Sequence, residues 1–427
     1  MHDHLPRDVL ISILSRLPVS TLLRCIAVCK SWYALISSPL FISENLHFGS
    51  ENTHLLLRYC VGEGVTEKHQ SYELFRDDNH TFERCRKLDF PFTSVNNFYR
   101  IVGSCNGLIC LTDDMGEDDL TTILWNPSIG KSVALPEPRV TFTSHGAFSH
   151  THGFGYDPLT NDYKVVRIAN ISFNELQPLV ELYELSKGRW RDISHKATGV
   201  CYRLGDSIPA ALVGGIVHWA AMDEDFKNSV LSFDMSKEVF GEILVPDSVA
   251  TASLRYFTDL RVGTYKESLA FFVQSTYGTN PYCCVWVMKE YGNVQSWTQI
   301  FSINHLRLGF QLLVGFRKTG EALFVDRDKC LVLFHHEEQL VEYLDICGSY
   351  LHAFYASTYR ESLVFLDKDT GRSDIDTVQD IWIRRNSEDV SDECTNYHET
   401  SRNGEDGKGK GKLTYKSKEK GNCKNFG

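Results

Sequence analysis

The chain has 427 residues, 42% of them hydrophobic and 23% charged, a balance suited to folding by burial and far from that of a disordered polymer. At this length, two units or one large repetitive one are expected. The formal net charge of −11 argues against a dedicated nucleic-acid binder, which needs a surplus of Lys and Arg on at least one face. No uncharged apolar run approaches the roughly 20 residues of a membrane-spanning helix, and charges interrupt residues 1–8, so neither a span nor a secretory leader is expected.

Residues 3–46 carry helical spacing of apolar positions. Leu5-Pro6 suits a helix start, because the N–H that Pro lacks would be unsatisfied in the first turn anyway, and Asp8 adds a favourable charge there. Val9, Leu10, Ile13, Leu14 and Leu17 follow at three- and four-residue spacing, which predicts one apolar face ended by Pro18. Ser20 or Thr21 can cap a second helix with Leu22, Leu23, Ile26 and Ala27. A third piece brings Val28, Cys29, Trp32, Leu35 and Ile36, and Pro39, Phe41 and Leu46 close the unit. So short a segment cannot make an adequate core alone and should be completed by a partner or by the following domain.

From about residue 53 to 385 the period changes to short strands and turns, with two recurring elements. The first is a Gly-containing turn with an apolar strand, as at Val102 to Leu111 (around Asn106-Gly107), Leu212 to Trp219, Val262 to Phe272, Val314 to Val325 and Phe354 to Phe365. The second is a strand, a polar turn and a return strand: Ile123 to Leu135, Val180 to Ile193, Val230 to Val245, Val285 to Ile300 and Val332 to Leu344. Their recurrence at roughly 50 residues matches a four-stranded kelch-type blade. A second element at Tyr72 to Phe90 lacks a first, and Phe354 to Phe365 is a first lacking a second. Joining them in one blade would close a ring of about six. Beyond Arg385 an acidic then Gly/Lys-rich stretch, 386–427, is expected to be disordered.

The N-terminal residues Leu5-Pro6, Ile13-Leu14, Arg16-Leu17-Pro18, Leu22, Cys25, Val28-Cys29-Lys30 and Trp32 closely resemble the F-box. Farther on, Ser104 to Leu108, Leu124 to Ser128, Gly153 to Val166 and Gly214 to Trp219 resemble the F-box-associated domain of plant F-box proteins, whose members include kelch-type proteins and the pollen S-locus F-box group that targets ribonucleases. The resemblance implies a mainly β protein: an F-box at 1–46, a kelch-like β-propeller at 53–385 and a tail. It also implies a substrate-recognition subunit of an Skp–cullin–F-box ubiquitin ligase, itself non-catalytic and acting in the cytosol or nucleus. Its partners would be a Skp-family adaptor, through it cullin and RING subunits, and a protein target. The adaptor-binding residues implied are Leu5, Pro6, Val9, Ile13, Leu14, Leu17, Pro18, Leu22, Val28, Cys29 and Trp32.

Sites of chemistry are sparse. Adjacent residues of His335-His336-Glu337-Glu338 would diverge on a strand rather than converge on an ion. His150 and His152, with His145 nearby, suit a loop. Gly62-Glu63-Gly64 and 407–412 lack the rest of a phosphate-binding loop, and no Gly-x-Ser-x-Gly elbow occurs. No cofactor or metal is therefore expected. The thirteen cysteines, scattered and never spaced Cys-x-x-Cys, are expected as reduced thiols. Trp125, Trp190, Trp219, Trp286 and Trp297 fall within strand elements and should pack between blades. Target contacts are expected from loops at one rim, around 137–150, 168–178, 199–207, 247–256 and 274–281. The rival readings are a propeller enzyme, oxidase or sugar-processing, which would need a metal or paired carboxylates on the axis, and an F-box scaffold with no degradative role.

Overall fold

A computed structural model of the chain describes residues 6–48 and 53–364, apart from 63–68, 78–81, 91, 93–97, 114–120, 172–176, 198–202, 205–208, 224, 252–257, 276–281 and 305–307. The expected strand content of 365–385 and the expected disorder of 386–427 lie outside the described residues.

Four short helices come first: α1 (Arg7–Leu14), α2 (Val19–Ile26), α3 (Lys30–Ile36) and α4 (Pro39–Phe48). Pro6 and Pro18, extended at ψ near 145°, sit immediately before α1 and α2. Pro18 therefore does more than end the first helix: it occupies the capping position expected for Ser20 or Thr21. The segment expected merely to close the unit forms α4, whose Asn45 donates to the Ser15 carbonyl at the end of α1 (2.8 Å).

Six antiparallel sheets then form a β-propeller. Every second element read from the sequence is the third and fourth strand of a blade, for example Asn228–Asp234 with Val239–Leu244. The ring closes by a shared blade. The C-terminal strand Tyr355–Arg360 runs innermost against Thr53–Val61 with six paired positions, from Thr53↔Arg360 to Arg58↔Tyr355. The N-terminal contribution is three strands, Thr53–Val61, His69–Arg76 and Arg84–Leu88, rather than the pair expected within 72–90, so the blade is divided three to one. At its rim Gly107 takes φ +80°, and a Cβ there would fall 2.4 Å from Ser362 Oγ and 2.8 Å from the Arg360 carbonyl, so the closing segment can approach only because this residue is glycine.

The tryptophans stitch blade to blade. Trp190 donates to the Pro136 carbonyl (2.8 Å), Trp219 to that of His152 (2.9 Å) and Trp297 to that of Leu244 (3.0 Å), each reaching back to the preceding blade or the segment leaving it. Trp125 is buried edge-on to Tyr72 and Phe90 of the closing blade. The indoles of Trp190, Trp219 and Trp297 thus bury area and satisfy their N–H together, whereas Trp286, half-buried between the fourth and fifth blades, has a buried Nε1 without a carbonyl acceptor among the described residues. Cys283 and Cys284, adjacent on one strand, enter the cores on its opposite faces.

Two expectations are corrected. His150 and His152 lie on the innermost strand Ser149–Asp157 and are buried, not in a loop. Cys330 and Cys347 form a disulfide, because the register of their strands sets them directly opposite each other, which spacing alone did not reveal. The other described cysteines carry free thiols.

Buried histidines make the fold acid-sensitive. His218 is fully buried, its Nδ1 3.3 Å from the Ala211 carbonyl and its Nε2 2.8 Å from the Tyr291 hydroxyl. The neutral ring satisfies both contacts when Nδ1–H donates to the carbonyl and Nε2 accepts from Tyr291. Burial pushes its pKa down to about 4. The unfolded chain binds this proton below about pH 6.5 and the folded chain does not, so stability is full above that value and falls as pH drops toward 4, by on the order of 3 kcal/mol. Urea unfolding at a series of pH values should show that decline, and His218→Gln should lower its slope by about one proton.

Candidate functional site

The helices and the ring are joined by a small apolar seam. Ile129, in the turn between the third and fourth strands of the second blade (100–134), and Leu363, just past the closing strand, are buried among Leu14, Leu22, Ile36 and Phe41. Asn126 Nδ2 donates to the Val364 carbonyl (2.9 Å), and the Ser128 and Tyr359 hydroxyls share a hydrogen bond (2.9 Å), so the segment after the closing strand is clamped beneath the helices. The ring thus completes the helical core that the sequence showed to be too small on its own.

This burial splits the stripe read as one apolar face. On α1, Leu14 turns inward with Ile11, which that reading passed over, while Val9 and Ile13 remain exposed, Ile13 at 51%. Pro6, Val9 and Ile13, three and four residues apart, share the outward side of the helix. Among the other implied contact residues, Leu22 is buried in the core, Leu17 and Trp32 are half-buried against it, Cys29 is half-buried immediately before α3, and Pro18 and Val28 are exposed. Leu5 lies outside the described residues. Tyr33 and Leu40, not singled out from sequence, are also exposed. Large apolar side chains left in water at this density point to a surface awaiting a partner.

Strand order fixes the opposite end. In each blade the first-to-second and third-to-fourth turns share one rim, and the helices sit on that rim through Ile129 and Leu363. The loops around 137–150, 199–207 and 247–256 connect one blade to the next, and those around 168–178 and 274–281 connect second to third strands. The described strand ends that flank all five therefore lie at the rim away from the helices. Between the rims runs a channel of about 1550 Å³, lined by the innermost strands. Its wall is apolar at Ile101, Leu212, Val262 and Leu312, and Arg58, Asp259, Arg261 and Gln311 stand toward the far rim. Asp259 and Arg261 pair at 2.8 Å. Nearby, burial and then the charges of His150, Arg167 and Arg100 hold the His152 imidazole well below its ordinary pKa.

Among the described residues, no three His, Cys, Asp or Glu side chains converge as a metal site, and no helix is long and apolar enough to cross a membrane. His335 instead lies 4.0 Å from Glu321 and 3.9 Å from Glu342.

Residues 69–366 match the F-box associated beta propeller domain, and residues 2–48 match the F-box-like family. This chain belongs to the F-box associated propeller family of plant F-box proteins. It is 28% identical over 312 residues to F-box/kelch-repeat protein At3g23880 of Arabidopsis thaliana, covering 70% of this chain and 79% of that protein. F-box protein At3g07870 of the same plant is 28% identical, with 70% and 73% covered. F-box protein CPR1, again from Arabidopsis thaliana, is 27% identical, with 70% and 73% covered. The F-box of this family member is thus the helical unit at one rim, and the strand ends that lead into the long loops lie at the other.

Proposed function

We propose that this F-box protein is a substrate-recognition subunit of an Skp–cullin–F-box ubiquitin ligase. In this reading a Skp-family adaptor covers the outward side of α1 and links the chain to cullin and RING subunits. A protein target binds at the far rim of the propeller and is brought to the recruited conjugating enzyme. The observation that carries it is the two-ended design: exposed Val9 and Ile13 on a helical unit seated by Ile129 and Leu363 on one rim, and the strand ends flanking all five long loops at the other. The chain supplies proximity, raising the effective concentration of a target lysine near the ubiquitin thioester, and performs no bond-making itself.

The test is made with the full-length chain in plant cells under proteasome inhibition. Proteins captured by the wild-type chain should carry ubiquitin conjugates. With Ile13→Asp, the same proteins should be captured but left unconjugated. Conjugation that persists with a folded Ile13→Asp chain that no longer binds the adaptor rejects the ligase reading. Captured proteins that never carry conjugates favour the scaffold.

A further inference from the structure

Three deeply buried bases of the propeller are paired with carboxylates, and a fourth, Arg58, has no such partner among the described residues. Lys164 meets Asp157 at 2.7 Å, Arg167 meets Glu181 at 2.9 Å and Arg317 meets Asp77 at 3.0 Å. Arg58 is as buried, at 3% exposed, yet no carboxylate lies within ion-pairing distance among the described residues. Its Nη1 and Nη2 each donate at 2.7 Å to a backbone carbonyl, those of Ala353 and Tyr99. Its guanidinium lies 4.1 Å from the Phe98 ring centre, and its Nε has no acceptor among the described residues. The nearby phenol of Tyr72 is fully buried, and that burial holds it neutral.

A cation withdrawn from water without a counter-ion is costly, and carbonyl dipoles and a ring face offset only part of that cost. The strain is relieved when an anion arrives, which gives the channel a built-in preference for a negatively charged occupant. Arg58 forms part of the channel wall toward the far rim, where Arg261 is already answered by Asp259. The planar guanidinium of Arg58 suits the two oxygens of a flat carboxylate. The volume of about 1550 Å³ exceeds the roughly 300–1,000 Å³ of small-ligand sites, and the wall is also apolar at Ile101, Leu212, Val262 and Leu312.

From this geometry we infer that the channel takes a peptide segment of the target, an acidic residue or free carboxyl terminus pairing with Arg58 and adjacent apolar side chains entering the channel. The inference rests on the receptor reading above and specifies what the propeller recognises.

Random peptides displayed with free carboxyl termini are selected on the full-length chain, and enriched sequences are remade as synthetic peptides. They should share a carboxylate beside an apolar residue. Replacing that group by its amide, Glu→Gln or Asp→Asn for a side chain and amidation for a terminus, should weaken binding about tenfold or more and shows which carboxylate is read. Arg58→Gln should weaken the acid peptide similarly and leave the amide peptide unchanged. Gln311→Glu, which keeps Arg58 and places a negative charge at a half-buried position of the mouth, should also weaken the acid peptide and decides the matter if Arg58→Gln does not fold. Enriched peptides without an acid, amides that bind equally well, or no enrichment would each overturn the inference. Acid-free peptides held by the rim loops would do so while leaving the receptor function intact, whereas conjugation that persists in an Ile13→Asp chain unable to bind the adaptor strikes the ligase reading without touching the peptide result.

Discussion

Truncation immediately before Phe354 is expected to abolish cooperative unfolding, whereas truncation after Arg385 leaves the melting transition nearly unchanged. The shorter chain loses the innermost strand of the closing blade, with its six paired positions from Thr53↔Arg360 to Arg58↔Tyr355, and so exposes a strand edge at the heart of the ring. It also loses buried Phe354, Tyr359 and Leu363, each worth about 1.5–3 kcal/mol of burial. That sum is comparable with the whole stability of an ordinary domain, about 5–15 kcal/mol. The damage spreads to the helices, since Leu363 belongs to their core and the Val364 carbonyl accepts from Asn126. The longer truncation removes only the polar, charge-segregated stretch beyond Arg385, whose composition cannot sustain a core. Calorimetry of both truncations beside the full chain decides it, and comparable transitions in all three would refute the shared blade.

Ring closure was legible because a half-blade at each end of the strand region can be completed only by the other half. The three-to-one division was not, since Thr53–Val61 is buried at six consecutive positions and lacks the alternation that announces a strand. The blade repeat was legible in its third and fourth strands, where polar turns punctuate the alternation, and the tryptophans were correctly assigned to packing between blades. The placement of His150 and His152 failed for a physical reason. A buried strand with aromatic and cationic neighbours reads, residue by residue, like a polar loop, and only the pairing of His152 with Arg167 across the sheet reveals it. The Cys330–Cys347 bond depends on register, which spacing does not encode. Arg58 could not be singled out, because sequence shows that a base is present but not that its carboxylate is missing.

The burial pattern of the helical unit was half legible, and the half that was not determines how the proposed adaptor surface must be tested. Apolar residues at three- and four-residue spacing identify a helix with a face to bury but not what buries it, and α1 divides its apolar residues between the ring-supported core and the outside. Replacing Ile13 and Leu14 together would therefore confound docking with folding. Leu14, 5% exposed among Ile11, Leu22 and Phe41, cannot accept a carboxylate without unfolding the helices, whereas Ile13, 51% exposed, can. Ile13→Asp alone should leave the melting temperature nearly unchanged and reduce affinity for a Skp-family adaptor by about 100-fold or more, the scale of a central apolar contact replaced by an unpaired charge in a dry interface. Val239→Asp is the matched control: it is equally exposed, at 51%, but lies on the outermost strand of the fourth blade and should bind the adaptor as the wild type does. Calorimetric titration of the three folded chains with purified adaptor measures the difference. Undiminished binding by Ile13→Asp would remove the outward side of α1 from the interface, and equal loss in Val239→Asp would show that added charge, not the lost contact, was responsible.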